Sequence, residues 1–503
     1  MRSEDIKYVI IQAGGKGIRM GRYAENKPKC LVPVKGIPMI MNTIEKYKDK
    51  EIIIIADYKA DVLETYLSNF CKYNFTVCQT TEQGTAGGLG KVVDSIPDDE
   101  PFILTWADLF FDTTPEFEFD KDLLVGLSDT FKCRWKLENN KFVNEASTEV
   151  GVAGFFAFKN KERFSKLSIS KSLVRGFLSE NYEDNEIDSF TLSNCFEVGE
   201  VDKYESILVN ELNHRFFNEV IIDGDKVTKR CIDPRYEDVH SKEKLWYNAV
   251  SDRLENIPKI YSYDPLTMGR IGGEHLWNLK ENKEQLINNF CDALDSLHSI
   301  AEVNPNTDDM IDVYLKKTKS RVEEVRSLIR DIDEPMVKIN SRMCINPLCD
   351  EEYFEEHIKK ISNIDKFNII HGDNTFSNTI ADENSKIWFI DPRGVFGSTP
   401  IYGDRRYDYA KLYYSAYGNY DSINSKDYRI KLDRRNVNLE IKSNGYEEFA
   451  DLIIKRSGVP KAEIQLIHAC IWFALTGYVK EDYDAVLFAF YKGCQLWTEA
   501  VSD

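Results

Sequence analysis

Apolar and polar positions follow two different rhythms along this chain of 503 residues. Residues 7–12 (KYVIIQ), 51–56 (EIIIIA) and 102–107 (FILTWA) are short apolar runs bounded by turn signals. Between them PMIMNTIEKYKD (38–49) and KADVLETYLSNF (59–70) have helical spacing. Buried strands alternating with helices predict a doubly wound α/β sheet with right-handed crossovers, a Rossmann-like layout. Near residue 212 the rhythm changes. RFFNEVIIDGDKVTKRCI (215–232) holds two β-rich runs around Asp223-Gly224, a hairpin signal. SKEKLWYNAVSDRLEN (241–256) follows as a helix, with Ser241 as its N-cap. From about residue 280 long helical patterns dominate, interrupted by HGDNTFSN (371–378) and DPRG (391–394). The pattern predicts two domains, 1–210 and 211–503. The second divides into a small β-rich lobe, about 211–275, and a helical lobe, about 276–503.

Composition narrows the partners. A net charge of −19 argues against nucleic acid or an anionic membrane surface. No apolar run approaches the length of about 18 residues that a membrane helix needs. The charged first residues, MRSEDIKYVIIQ, lead directly into a strand and read as no signal peptide. The eleven cysteines are scattered without metal-ligand spacing, which suits reduced thiols and a cytoplasmic protein. Small molecules and nucleotides are the expected partners, and a homo-oligomer stays open.

The first candidate chemistry follows the first strand. AGGKGIRMG puts Gly14, Gly15 and Gly17 where backbone amides can approach phosphates. It has neither the G-x-G-x-x-G order nor a Gly-Lys-Ser/Thr ending. Arg19, Lys27 and Lys29 follow, then EQGTAGGLG (82–90), then WADLFF (106–111) with Asp108. Cations near a glycine loop suit a triphosphate. An aspartate at the carboxyl end of a buried strand suits Mg²⁺. Lys27 reads equally as a ligand and as a solvated surface charge.

This ordered set resembles the nucleotidyltransferases that join a nucleoside triphosphate to a sugar phosphate or phosphocholine. The resemblance implies that Gly14, Gly15 and Gly17 hold the triphosphate. Arg19 would contact the departing phosphates and Lys29 the attacked α-phosphate. Gly84, Thr85 and Gly88 would line base and ribose, and Asp108 would bind Mg²⁺. Glu197, two residues before Gly199, stands where a second metal aspartate is usual, and Ile18 where Thr or Ser is common. The acceptor phosphate is already ionised, so positioning and charge neutralisation suffice without a general base.

The second candidate chemistry is a phosphoryl transfer to an alcohol. Such a reaction needs a carboxylate at the hydroxyl, a carboxylate and an amide oxygen for Mg²⁺, and a lysine on the nucleotide phosphates. HGDNTFSN supplies Asp373 and Asn378, and WFIDPRG supplies Asp391. The hairpin supplies Lys229 beside Arg230, and strand register decides which points inward. Glu243 is the ion-pair candidate for the lysine, and Asp408 in GDRRYDYAKL a brace for the loop.

These features resemble the aminoglycoside phosphotransferase and choline kinase family, relatives of protein kinases. The resemblance implies that Asp373 positions or deprotonates the hydroxyl and that Asn378 and Asp391 bind Mg²⁺. Lys229 would hold ATP, and residues 268–276 would form the hinge under adenine. His371 would pack the loop. Arg393 reads equally as an anion contact and as a structural ion pair. Trp472, Tyr478, Tyr483, Tyr491 and Trp497 are either core or a cage for a quaternary ammonium.

The sequence thus predicts a bifunctional enzyme. ATP phosphorylates a small hydroxylated compound, and a second NTP, expected to be CTP, activates the product for a surface glycan or lipid. Choline or another amino-alcohol is the first expectation by analogy. A sugar made into a sugar 1-phosphate is the alternative, with polyols and hydroxy acids also open. A degenerate binding module in one half is disfavoured, because Lys29, Asp108, Asp373, Asn378 and Asp391 are all present. A protein kinase is disfavoured by the lack of HRD and DFG/APE signatures.

Overall fold

The computed structural model describes residues 1–80, 87–164, 173–211 and 218–502. It divides into two compact units. The first comprises Met1–Asn210 with the short segment Glu481–Tyr483, and the second comprises Glu211–Lys480 with Asp484–Asp503.

The first unit is built on a nine-stranded sheet among the described residues. At its centre the strand Tyr8–Gln12 pairs in parallel with Glu51–Ala56 on one side and Phe102–Trp106 on the other. Phe75–Gln79 extends the parallel part beyond Glu51–Ala56. The sheet is mixed, however, and not wholly parallel. Gly151–Phe158 runs antiparallel to Phe102–Trp106 and to Leu123–Ser128, and is buried along its whole length. Its GVAGFFAF composition permits this, because a strand covered on both faces has no polar side to present. Helices Met39–Lys46 and Ala60–Phe70 occupy the spans of helical spacing. Ile10, Ile55, Leu104, Phe156 and Phe158 belong to one core cluster.

The parallel strands fix where chemistry can happen. The glycine loop leaves the carboxyl end of Tyr8–Gln12, and Asp108 leaves the same end of its neighbour Phe102–Trp106. Both therefore lie at the edge where open α/β sheets bind ligands. A two-stranded ribbon, Leu109–Phe111 with Cys195–Glu197, adds Glu197 opposite Leu109, one residue from Asp108.

The second unit begins with a four-stranded antiparallel sheet. Asn218–Asp223 and Lys226–Cys231 form a hairpin closed by Gly224-Asp225, with Gly224 at φ 57°. Leu266–Gly269 and Ile260–Tyr263 complete the sheet. The following helix spans Glu237–Val250, so Ser241 lies inside it and is not its N-cap. The start moved upstream because Asp233-Pro234 opens a 3₁₀ turn that runs directly into the helix. The Asp233 side chain accepts from the Arg235 amide in that turn.

The larger part of this unit holds the helices Lys283–His298, Arg405–Ala416 and Lys461–Leu475. It also holds a four-stranded sheet that the helical reading does not anticipate, made of Met336–Ile339, Arg342–Ile345, Tyr428–Leu432 and Val437–Ile441. Its first hairpin turns on Asn340-Ser341, both at positive φ, a weaker signal than Asn-Gly. Among the described residues no helix is long and apolar enough to cross a membrane.

Ile10 is fully buried at the centre of the first sheet. Ile10→Ala should destabilise the first unit by about 2–5 kcal/mol, read as a lowered midpoint in urea.

Candidate functional site

Each unit gathers charged side chains that the sequence scatters. In the first unit a cleft of about 1040 Å³ is lined by Gly15, Lys16, Gly17, Arg19, Lys29, Asp108 and Glu197. Trp106 and Trp135 contribute aromatic wall, and Lys132, Arg134, Arg175 and Lys203 add further cations. Cations therefore outnumber the lining carboxylates Asp108, Glu197 and Glu200, although the whole chain is strongly acidic. Such local positive potential attracts a polyphosphate. Lys16, Lys132, Arg134, Arg175 and Lys203 were not legible as site residues, because single basic residues in loops and helix ends look like ordinary surface charge.

Lys29 is ion-paired to Asp108, and both side chains are largely shielded from water. Gly17 makes that approach feasible. Its φ of 63° is left-handed, and a Cβ there would lie 2.9 Å from the Cβ of Lys29. Gly15 has nothing within 4 Å of its Cβ position, so its backbone faces open space in the cleft. Arg19 is paired to Glu200 and lies 3.8 Å from Glu197. Glu197 also accepts from Lys203 at 2.6 Å.

Gly14, Gly88 and Lys27 each have close neighbours of their own in this unit. Gly14 is not among the cleft-lining residues; its backbone packs beside Asp57. At Gly88 the close neighbours belong to the sheet. A Cβ there would lie 2.7 Å from Ile55 and 2.9 Å from Thr80, so glycine lets its helix approach the sheet. Lys27 is buried and donates to Asp482 at 2.8 Å, so it is a structural ion pair. Gly84 and Thr85 lie outside the described residues.

In the second unit, register turns Lys229 inward and leaves Arg230 exposed beside Glu219. Lys229 lies between two carboxylates, donating to Glu243 at 2.9 Å and to Asp391. Burial alone would lower the lysine, but Asp391 and Glu243 outweigh it and hold the ammonium above its ordinary range. Asp391 takes a left-handed φ of 56°, an arrangement tolerated by aspartate and common at functional sites. The Ile390 amide donates to the Asn378 carbonyl at 3.0 Å, which places Asp391 beside Asn378. Asn378 in turn donates to the Asp373 carbonyl at 2.7 Å.

The loop carrying Asp373 is clamped from below. Asp408 is fully buried and accepts from the amides of His371 and Gly372, each at 2.8 Å, and from His298 at 3.0 Å. His371 accepts from the Asp373 amide at Nδ1, so Nε2 carries the proton and donates to the Ile390 carbonyl. Burial lowers its pKa, so it stays neutral and packs the loop. Lys411, four-fifths of a turn beyond Asp408 on the Arg405–Ala416 helix, pairs with Asp373 at 2.9 Å. It is a site residue that helical spacing hides among core tyrosines.

The proposed aromatic cage does not form. Trp472, Tyr491 and Trp497 are fully buried, with Trp472 donating to His468 and Tyr491 to Asp331. Tyr478 is exposed, and it faces Arg393 and Arg321.

Both sites present oxygen donors that suit Mg²⁺: Asp108 with Glu197, and Asp391 with Asn378. Among the described residues no group of three or more His, Cys, Asp or Glu could enclose a metal. Mg²⁺ does not need one, because it keeps waters and takes substrate phosphates as remaining ligands. Lys229→Met should leave the buried Glu243 and the partly buried Asp391 carboxylates without their shared cation. A loss of about 3–5 kcal/mol is expected in urea denaturation of the second unit.

Residues 9–116 match the MobA-like NTP transferase domain. The chain is similar to the bifunctional protein GlmU of Methanocaldococcus jannaschii, 34% identical over 107 residues, which is 20% of this chain and 25% of that protein. It is also similar to glucose-1-phosphate cytidylyltransferase of Salmonella typhimurium, 27% identical over 153 residues, covering 24% of this chain and 60% of that protein. The chain thus spans a quarter of the first relative's length and 60% of the second's. Among solved structures, the inositol-1-phosphate CTP transferase from T. maritima is 16% identical with a TM-score of 0.34, covering 40% of this chain and 95% of that one. Residues 9–12 of the first strand, the glycine loop and Asp108 all fall inside the span that resembles the MobA-like NTP transferase domain.

Proposed function

We propose that the first unit is a nucleotidyltransferase and the second an ATP-dependent phosphotransferase acting on a small hydroxylated compound. The observation that carries the first part is the cation-rich cleft around Lys29 and Asp108, within a span that matches NTP transferases. In this reading a phosphate oxygen of the acceptor attacks the α-phosphorus of an NTP. The bond to the β-phosphate oxygen breaks and pyrophosphate leaves. Lys29 and Arg19 stabilise charge on the α-phosphate and the departing pyrophosphate, and the Gly15–Gly17 backbone supports the triphosphate. CTP is the proposed nucleotide, supported by the likeness to a cytidylyltransferase. That relative's name also favours a second reading of the acceptor as a sugar 1-phosphate, with the same bonds made and broken.

The phosphotransferase reading rests on Lys229 held between Glu243 and Asp391, with Asp373 and Asn378 alongside. The acceptor hydroxyl oxygen forms a bond to the γ-phosphorus as the bond to the ADP oxygen breaks. The hydroxyl proton passes to the Asp373 carboxylate, and Lys229 orients the nucleotide phosphates. Asp108 and Glu197 in one unit, and Asp391 and Asn378 in the other, are the donors for Mg²⁺, which when bound supplies neutralisation of phosphate charge. The phosphate made by the second unit is then the nucleophile used by the first.

The two activities should separate genetically. Asp391→Ala should abolish ATP-dependent phosphorylation, while pyrophosphate release from CTP and a supplied phospho-acceptor continues at near the parental rate. Asp108→Ala should do the reverse, so that phospho-acceptor accumulates. Loss of both activities in either variant, with the fold intact by circular dichroism, would refute two independent sites. Gly17→Ala should displace Lys29 and slow pyrophosphate release by about 100-fold, as misplacement by an ångström does elsewhere.

A further inference from the structure

The wall around Asp373 is unusually cationic. Lys411 pairs with Asp373 and lies over the ring of Tyr414 at 5.0 Å. Arg393 lies against the same loop: its amide donates to the His371 carbonyl, and a Cβ on Gly372 would meet the Arg393 Cβ at 3.2 Å. The Arg393 guanidinium reaches the Tyr478 hydroxyl at 3.5 Å. Arg321 lies over the same Tyr478 ring at 4.9 Å.

Lys317 completes the group. Tyr314, one turn before Lys317, packs against Tyr407 at 6.2 Å between ring centres, and Tyr407 is one turn before Lys411. The two lysines therefore project from neighbouring helices towards the same region. Burial, then the charges of Arg393, Lys411 and Arg321, pull the Lys317 ammonium well below its ordinary range.

The charges do not balance within this wall. Asp373 is matched by Lys411, and Arg321 has Glu324 at 3.4 Å. Asp373, already paired with Lys411, is the carboxylate whose charge favours both Lys317 and Arg393. Lys317, Arg393 and Lys411 thus share one carboxylate in a half-buried wall, and an added anion would relieve their mutual repulsion.

We propose that the alcohol phosphorylated at Asp373 carries an anionic group, a carboxylate or a phosphate, which Lys317 and Arg393 bind. This rests on the phosphotransferase reading of the second unit. It replaces the amino-alcohol expected from the family resemblance, because a quaternary ammonium would meet cations here, and the faces of Tyr407 and Tyr414 are already taken by Lys411.

The test uses the full chain with ATP and Mg²⁺ and follows ADP formation. Four acceptor sets are compared: hydroxy acids from glycerate to hexonates, polyol phosphates such as glycerol 3-phosphate, the matching neutral polyols, and choline with ethanolamine. Turnover confined to the first or second set supports the proposal and tells carboxylate from phosphate. Lys317→Gln and Arg393→Gln should each raise the KM for that acceptor at least about tenfold, with the KM for ATP nearly unchanged. A rise in the KM for ATP instead would mean that these cations serve the nucleotide, and would overturn the proposal. Turnover of neutral polyols or amino-alcohols with the anionic sets silent also overturns it, and leaves the phosphotransferase reading standing. Silence with all four sets overturns it too. The phosphotransferase reading falls with it if the parent protein binds ATP-Mg²⁺ no better than Asp391→Ala. The acceptor comparison needs no variant, so it stands even if a substitution impairs folding.

Discussion

Lysine ammonium groups held against carboxylates, mostly out of water, are the constraint on which both sites are arranged. Lys29 faces Asp108, Lys229 lies between Glu243 and Asp391, and Lys411 faces Asp373. Removing such ions from water costs several kcal/mol each, and the mutual attraction roughly offsets that cost. The pairs therefore add little net stability. Their value is positional: an unpaired member would be costly, so each side chain is kept in its cleft. In the proposed chemistry Lys29 and Lys229 face phosphate oxygens, Asp108 and Asp391 face the metal, and Asp373 takes the hydroxyl proton.

Backbone geometry supports these pairs. Gly17 adopts a left-handed conformation and leaves room for Lys29, and Gly88 allows the close packing of a helix on the sheet. Asp391 adopts a left-handed conformation with a side chain present, and the flanking amides of Ile390 and Arg393, donating to the Asn378 and His371 carbonyls, hold the segment there. Asp408 fixes the Asp373 loop through two amides. This explains how the Arg405–Ala416 helix, nearly all of it buried, can hold Arg406, Asp408 and Lys411. Its polar residues each meet a charged or amide partner from outside the helix, so none is stranded.

The local alphabet of the chain determined a good deal. Apolar runs of five or six residues marked the strands Tyr8–Gln12, Glu51–Ala56 and Phe102–Trp106, because a buried strand has no polar face. The hairpin at Gly224 and the short-range sets Asp373 to Asn378 and Asp391 were visible because turn chemistry and loop chemistry are written in neighbouring residues. What needed the tertiary structure was everything set by residues far apart in sequence. The antiparallel Gly151–Phe158 strand and the sheet around Asn340-Ser341 depend on long-range pairing. Lys229 rather than Arg230 faces inward because register against Leu266 and Val220 decides it. Lys27 became structural through Asp482, Lys411 came to pair with Asp373, and Arg393 came to lie beside Tyr478. A charge reads the same in sequence whether it is solvated or buried, and only its neighbours in space decide which chemistry it serves.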